Sequence, residues 1–239
     1  MATKETLVVT CEHGGNDIPV RYRRLFRRWR AVLDSHRGYD AGALIMARNL
    51  AEALDVPLVS STVSRLLVDL NRSIGHPRLY SSATISLPET DRATIVAEYY
   101  LPYRTRVEDI VARGVMRDRR VVHVSSHSFT PKLDGKVRRA DVGLLYDPGR
   151  RGETELCARW KAALAARAPE LLVRRNYPYA GKGDGLTAHL RRNFPASEYI
   201  GIELEINQKL VQSQSRRWLP LRRALIDAFR SACAGSQSF

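Results

Sequence analysis

Two histidines and several carboxylates, each at or near the end of an apolar run, are the residues of this 239-residue chain best equipped for chemistry. The stretch "TLVVTCEHGGNDIP" (6–19) ends a strand-like run in Cys11, Glu12 and His13 and continues into two glycines. A neutral imidazole at a sheet edge is a common metal ligand. Glycines beside it would let backbone approach a bound ion or substrate closely. A second run, "VVHVSSHS", carries His123 and His127. Side chains alternate along a strand, so these two share a face but lie about 13 Å apart, too far to hold one ion together. His127, at the expected strand end beside Ser128, is the better ligand. His123 is expected in the core or behind the site.

Three further groups supply acids and cations. In "GIELEINQ" (201–208), Glu203 and Glu205 alternate with Ile202, Leu204 and Ile206, which puts both carboxylates on one face of a strand. Either could act as a general base on a water molecule. Asp40 in "RGYDAGA" reads as the N-cap of the following helix or as a further metal ligand. In "SRLLVDLNRSIGHPRLYS" (64–81), Asp69, Asn71 and Arg72 follow an apolar run, with Arg65 just before. An arginine fork grips a carboxylate through two parallel hydrogen bonds and a neighbouring amide adds a donor, so this segment has the chemistry of a carboxylate clamp.

The elements that must position these residues are legible from periodicity. Strand-like runs occur at 6–11, 57–61, 120–126, 142–146 and 199–206, rich in β-branched or aromatic residues. Helical spacing appears at 40–54, 91–116, 152–168 and 215–233. Strands alternating with long helices imply an α/β fold on a mostly parallel sheet. The connections 12–19, 71–90, 127–141 and 176–188 are expected to be loops at its carboxyl end, where ligands bind in such sheets. No linker divides the chain, so one domain over 1–239 is expected.

Composition narrows the class. With 44% hydrophobic and 27% charged residues the chain can bury a large core. It has no run of about 18 apolar residues and no signal-like N-terminus, so a cytoplasmic protein is expected. Three widely spaced cysteines fit neither a disulfide framework nor a CxxC zinc site. The net charge of +14 raises a polyanion-binding protein as a rival reading, but no nucleic-acid motif is present and aromatics are only 8%. Basic stretches such as "RYRRLFRRWR" (21–30) read as solvated faces that would also draw in small anions.

Together, "CEHGGNDIP", "YDAGA", "SRLLVDLNRSIGHP", the "HS" at 127–128, "DGLTAHL" and "GIELEINQ" resemble, in order and over most of the chain, the N-formylglutamate amidohydrolase family. The resemblance implies a three-layer α/β/α sandwich of the zinc-exopeptidase type, related to aspartoacylase and metallocarboxypeptidases. It also implies zinc, or another divalent metal, held by His13, His127 and an acid. Glu205 would be the base, with Glu203 as its competitor. Arg65 would polarise the substrate carbonyl, and Asn71 and Arg72 would hold the substrate carboxylate with Asp69 beside them and Arg191 or Arg192 as helpers. Relatives place the acidic ligand three residues after the first histidine, where this chain has Asn16. The acid must then be Asp40 in the first place, Glu12 in the second or Asp17 in the third. The implied substrate is a small anionic N-acyl amino acid such as N-formylglutamate. The alternatives are a metallocarboxypeptidase-like peptide hydrolase and a Cys11 nucleophile paired with His13.

Overall fold

The opening apolar run forms strand β1 (Glu5–Cys11) in the computed structural model, which describes residues 5–117, 119–211 and 217–234. Two 3₁₀ turns (Val20–Tyr22, Arg27–Trp29) and a one-turn helix α1 (Arg30–Leu33) follow. Arg23, Arg24, Arg27, Arg28 and Arg30 point to solvent around buried Tyr22 and Phe26, so this basic stretch is a solvated face built on 3₁₀ turns. Next come α2 (Ala43–Leu54), β2 (Leu58–Ser60) and α3 (Glu89–Ile95), which runs through a π turn (Val96–Tyr100) into α4 (Leu101–Val115). Pro102 has no N–H to offer the preceding turn, and a widened turn is one way to absorb that loss.

The second half holds β3 (Arg120–Phe129), a small hairpin of β4 (Lys132–Leu133) and β5 (Lys136–Val137), β6 (Val142–Leu145) and α5 (Arg151–Arg167). It closes with β7 (Val173–Arg175), α6 (Leu186–Asn193), β8 (Tyr199–Asn207) and α7 (Trp218–Ala234). The expected start of the last helix, 215–216, lies outside the described residues. Several expected boundaries need correction, and the loop expected over 71–90 ends inside α3. The helix expected from residue 40 begins at Ala43. The segment 127–141 is not all loop, because β3 runs on to Phe129 and the hairpin follows it. The segment 176–188 ends inside α6. Helix α6 and strand β7 escaped notice because one is short and the other is an edge strand, Val-Arg-Arg, without apolar alternation.

The six strands of the main sheet lie in the order β2-β1-β3-β8-β6-β7. The first four are parallel; β6 runs antiparallel to β8, and β7 is parallel to β6. One face is covered by α2, α5 and α7, and Ile200, Ile202, Leu204 and Ile206 of β8 all pack into that layer. The other face is covered by α3, α4 and α6, against Val8, Val121 and Tyr199. This is a three-layer α/β/α sandwich around a mixed, mostly parallel sheet. From β1 the chain crosses over α2 to β2 on one side, then over α4 on the opposite face to β3 on the other side. The crevice between the carboxyl ends of β1 and β3 is therefore a topological switch point, where α/β sheets bind ligands.

Candidate active site

That crevice brings His13, one turn beyond β1, beside His127 in β3, with ring centroids 5.1 Å apart. Because β3 continues past residue 126, His127 lies within the ladder, paired in register with Glu205, while Ser125 pairs with Glu203. Paired residues on parallel neighbours point to the same face, so the strand register alone carries both glutamates to the site. Asp40 joins them through the backbone, its N–H donating to the His13 carbonyl at 2.9 Å. Gly42, rather than Asp40, caps α2, and no side chain bonds the helix start. The Asp40 carboxylate is therefore free for the site.

His13, Asp40 and His127 are all buried, and one ligand atom from each lies within 4.8 Å of the others. The Nδ1 atoms of His127 and His13 lie 2.8 and 3.5 Å from Asp40 Oδ2. Both distal nitrogens are held by carboxylates: His13 Nε2 by Asp69 Oδ1 at 2.7 Å, and His127 Nε2 by Glu12 Oε2 at 2.9 Å. Two imidazoles and a carboxylate converging on one point, each ring anchored behind by an acid, form a donor set that could hold a divalent metal. The Arg65 guanidinium also reaches this point, contacting His13 Nδ1 and lying 3.4 Å from Asp40 Oδ1. The residues fit a zinc-like cation.

The electrostatics agree with that fit. Burial opposes a charge on His127, but its hydrogen bonds to Asp40 and Glu12 outweigh it and hold its pKa well above the usual histidine value. Burial would raise Glu12, yet its bonds with His127 and Ser125 win and hold it well below the usual carboxylate range. Burial pushes Glu205 up to about 8, with Asp40 and Glu203 adding to the rise and His127 opposing it. The pocket thus demands positive charge and keeps one carboxyl able to exchange a proton near neutral pH.

A cavity of about 530 Å³ opens over this cluster, walled by Asn71, Arg72, Arg78, Tyr179, Asp184 and Glu203 among others. Asn71 is fixed by Leu186 N–H, which donates to its Oδ1 at 2.6 Å. Gly185 permits that approach, because a Cβ there would sit 2.8 Å from Asn71 Oδ1. Arg72 Nη1 donates to the Asp184 carbonyl at 2.7 Å, which orients its fork. Of the buried polar side-chain atoms without a partner among the described residues, Arg65 Nε, Arg72 Nε and Glu205 Oε2 belong to residues lining this cavity. Orphaned buried atoms gathered at one cavity call for partners, which a ligand held in that cavity would supply.

Other expected residues lie differently. Asp69 lines the cavity, but its Oδ1 bonds His13 and Asn71 N–H, which makes it a support for the first histidine. Arg191 is not among the cavity residues: it pairs with buried Glu153 at 3.0 Å and donates to the Gly181 and Gly201 carbonyls. Breaking a buried pair leaves a charge uncompensated, so Arg191→Ala should cost about 3–5 kcal/mol of stability. Denaturant unfolding measures that loss, and a change confined to KM would instead restore the substrate role. Asn16 donates to Asp34 Oδ1 at 2.9 Å, and Asp17 is exposed. Cys11 packs in the opposite layer, where burial pushes its thiol pKa well up, which disfavours a nucleophile there.

The two glycines after His13 do not open space for substrate. A Cβ at Gly14 or Gly15 would lie 2.8 or 2.7 Å from the carbonyl oxygens of Ser61 and Thr62, so they allow the turn to press against that segment. His123 sits behind the site, between Thr10 Oγ1 at 2.8 Å and Tyr199 Oη at 2.7 Å, and burial lowers its pKa to about 4. Sequence reasoning missed Ser125, Tyr103, Asp184 and Tyr179. The alternation that places His123 and His127 on one face also places Ser125 there, and that signal was available.

The chain is similar to a gene product of Agrobacterium tumefaciens of known crystal structure, with a TM-score of 0.82 and 31% identity, covering 98% of this chain and 92% of that one. It is also similar to the crystal structure of N-formylglutamate amidohydrolase from Ralstonia eutropha, with a TM-score of 0.70 and 19% identity over 98% and 96% of the two chains. No curated protein matches. The sequence model of N-formylglutamate amidohydrolase matches residues 5–212, and the chain belongs to that family.

Proposed function

We propose that this protein is a metal-dependent amidohydrolase that cleaves the amide of an N-acyl amino acid, with N-formyl-L-glutamate as the first candidate and zinc or another divalent ion as cofactor. The observation that carries this reading is the cluster His13, Asp40 and His127, with Glu205 beside it and Asn71 and Arg72 lining the same cavity. Bound there, a divalent ion would supply a Lewis acid and make water acidic enough to give hydroxide near pH 7. Glu205 takes the proton of the attacking water and delivers it to the departing amine. Arg65 donates to the amide oxygen as negative charge develops on it, a contact of a type worth about 3 kcal/mol in the barrier. Asn71 and Arg72 grip the amino-acid carboxylate and so align the scissile bond with the attacking water.

Arg72→Ala should lower kcat/KM about 10- to 100-fold, as expected when a charge-assisted hydrogen bond to the substrate is lost. Initial rates across a substrate series measure it. The test of the proposal is amine release from N-formyl-L-glutamate, with and without a chelator and after zinc is restored. Activity that a chelator abolishes and zinc restores supports the reading; no turnover of any N-acyl amino acid by zinc-loaded protein sinks it. A second reading has its own support, because about 530 Å³ falls in the range of pockets that hold drug-sized ligands and exceeds what a formyl group needs. A panel of N-formyl, N-acetyl and N-succinyl glutamate with a C-terminal glutamyl peptide separates deformylation from longer acyl groups and carboxypeptidase-like cleavage.

A further inference from the structure

Glu12 is completely buried, and both its oxygens are engaged. Oε1 accepts from Tyr103 Oη at 2.9 Å, and Oε2 accepts from Ser125 Oγ at 2.6 Å. The same Oε2 lies 2.9 Å from His127 Nε2, and Ser125 Oγ lies 2.8 Å from that nitrogen. The other ring nitrogen, Nδ1, faces Asp40 at 2.8 Å. Glu12 is absent from the group whose ligand atoms converge within 4.8 Å, and it does not line the cavity.

We infer that Glu12, which sequence reasoning offered as a possible metal ligand, is instead a positioning residue for metal binding: with Ser125 it accepts the Nε2–H of His127 and thereby presents Nδ1 to the ion. The inference rests on the metal-site reading above and is independent of the substrate. Ser125 has one hydroxyl proton, which it gives to Glu12, and this leaves its oxygen to accept from His127. Nε2 therefore faces two acceptors and carries the proton, which leaves the Nδ1 lone pair for a cation shared with His13 and Asp40. A carboxylate behind a ligating imidazole fixes its tautomer and ring plane and raises its basicity. Tyr103 anchors Glu12 from α4, where it follows the π turn by only a few residues. Thr10 and His123 continue the buried polar network along the same sheet face to Tyr199.

The test is metal affinity of Glu12→Gln, which keeps an acceptor and the side-chain shape but removes the charge. Competition titration with zinc should show binding weaker by about 10- to 100-fold. The absorption spectrum of the cobalt-substituted variant should keep the wild-type bands, because His13, Asp40 and His127 remain. A direct ligand role would change the cobalt bands, and a purely structural role would lower the melting temperature of metal-free and metal-loaded protein alike with affinity unchanged. Either result overturns the inference. If Glu12→Gln does not fold, Glu12→Asp draws the carboxylate back from His127 by one methylene while keeping its charge, and unchanged zinc affinity in that variant overturns the inference. Wild-type protein that binds zinc but hydrolyses no N-acyl amino acid overturns the proposed function and leaves this inference standing; wild-type protein that binds neither zinc nor cobalt overturns both.

Discussion

Glu205→Gln is expected to retain its metal and to lose about 10²- to 10⁴-fold in kcat, the range that a positioned general base contributes. Glu205 is 5% exposed, stands beside His127 in register, and has an oxygen with no hydrogen-bond partner among the described residues. Glu203, its competitor, accepts from Thr187 Oγ1 at 2.7 Å and so has one oxygen already committed. Kinetics of the Gln variant, with metal content measured in parallel, separate loss of the base from loss of the ion. A Gln variant of wild-type rate would move the base to Glu203. The same substitution has a signature in the metal-free protein. A carboxyl raised from 4.5 to about 8 on folding holds its proton more tightly in the native state. The stability it contributes is fully present below its unfolded pKa and is lost as pH rises through the folded value. Between about pH 5 and about pH 8.5, Glu205→Gln should therefore flatten a fall in stability that denaturant unfolding shows in the wild type.

Asp40→Ala carries the second large effect: near-stoichiometric zinc in wild-type protein should fall to near zero in the variant, and hydrolysis should fall with it. Removing a ligand must exceed the about 10- to 100-fold cost of losing an outer carboxylate. The case for Asp40 is that its carboxylate is 4% exposed, caps no helix, and lies between the Nδ1 atoms of both histidines. The competing acids lie elsewhere: Glu12 is behind His127, and Asp17 is exposed. Asp17→Ala therefore serves as the control and should keep its zinc. Elemental analysis of the purified proteins decides the matter. Zinc retained at wild-type affinity in Asp40→Ala would remove Asp40 from the ligand set.

The family match accounts for the chain's chemistry more economically than its net charge of +14 does. Exposed arginines around Tyr22 and Phe26 keep their charge in solvent, and a positive surface speeds the arrival of anionic substrates whatever else it does. No helix among the described residues is long and apolar enough to cross a membrane.

What the sequence by itself determined is whatever depends on local periodicity. Alternation in "GIELEINQ" put Glu203 and Glu205 on one face and the aliphatics on the other, and β8 has that arrangement. Alternating strand and helix patterns specified an α/β sheet, and the motif order identified the family. Tertiary structure alone decided which partner each charged group meets. Asp40 fitted either a helix cap or a metal ligand, and the connection between β1 and α2 set it against His13 and His127. Arg191 looked like a clamp until the packing of α5 against β8 set Glu153 beside it. Glu12 meets Ser125 across 113 residues because β1 and β3 are neighbours at the switch point. Periodicity reports which face a side chain leaves by; a hydrogen bond or ion pair acts over about 3 Å, and only strand order and register bring distant residues that close.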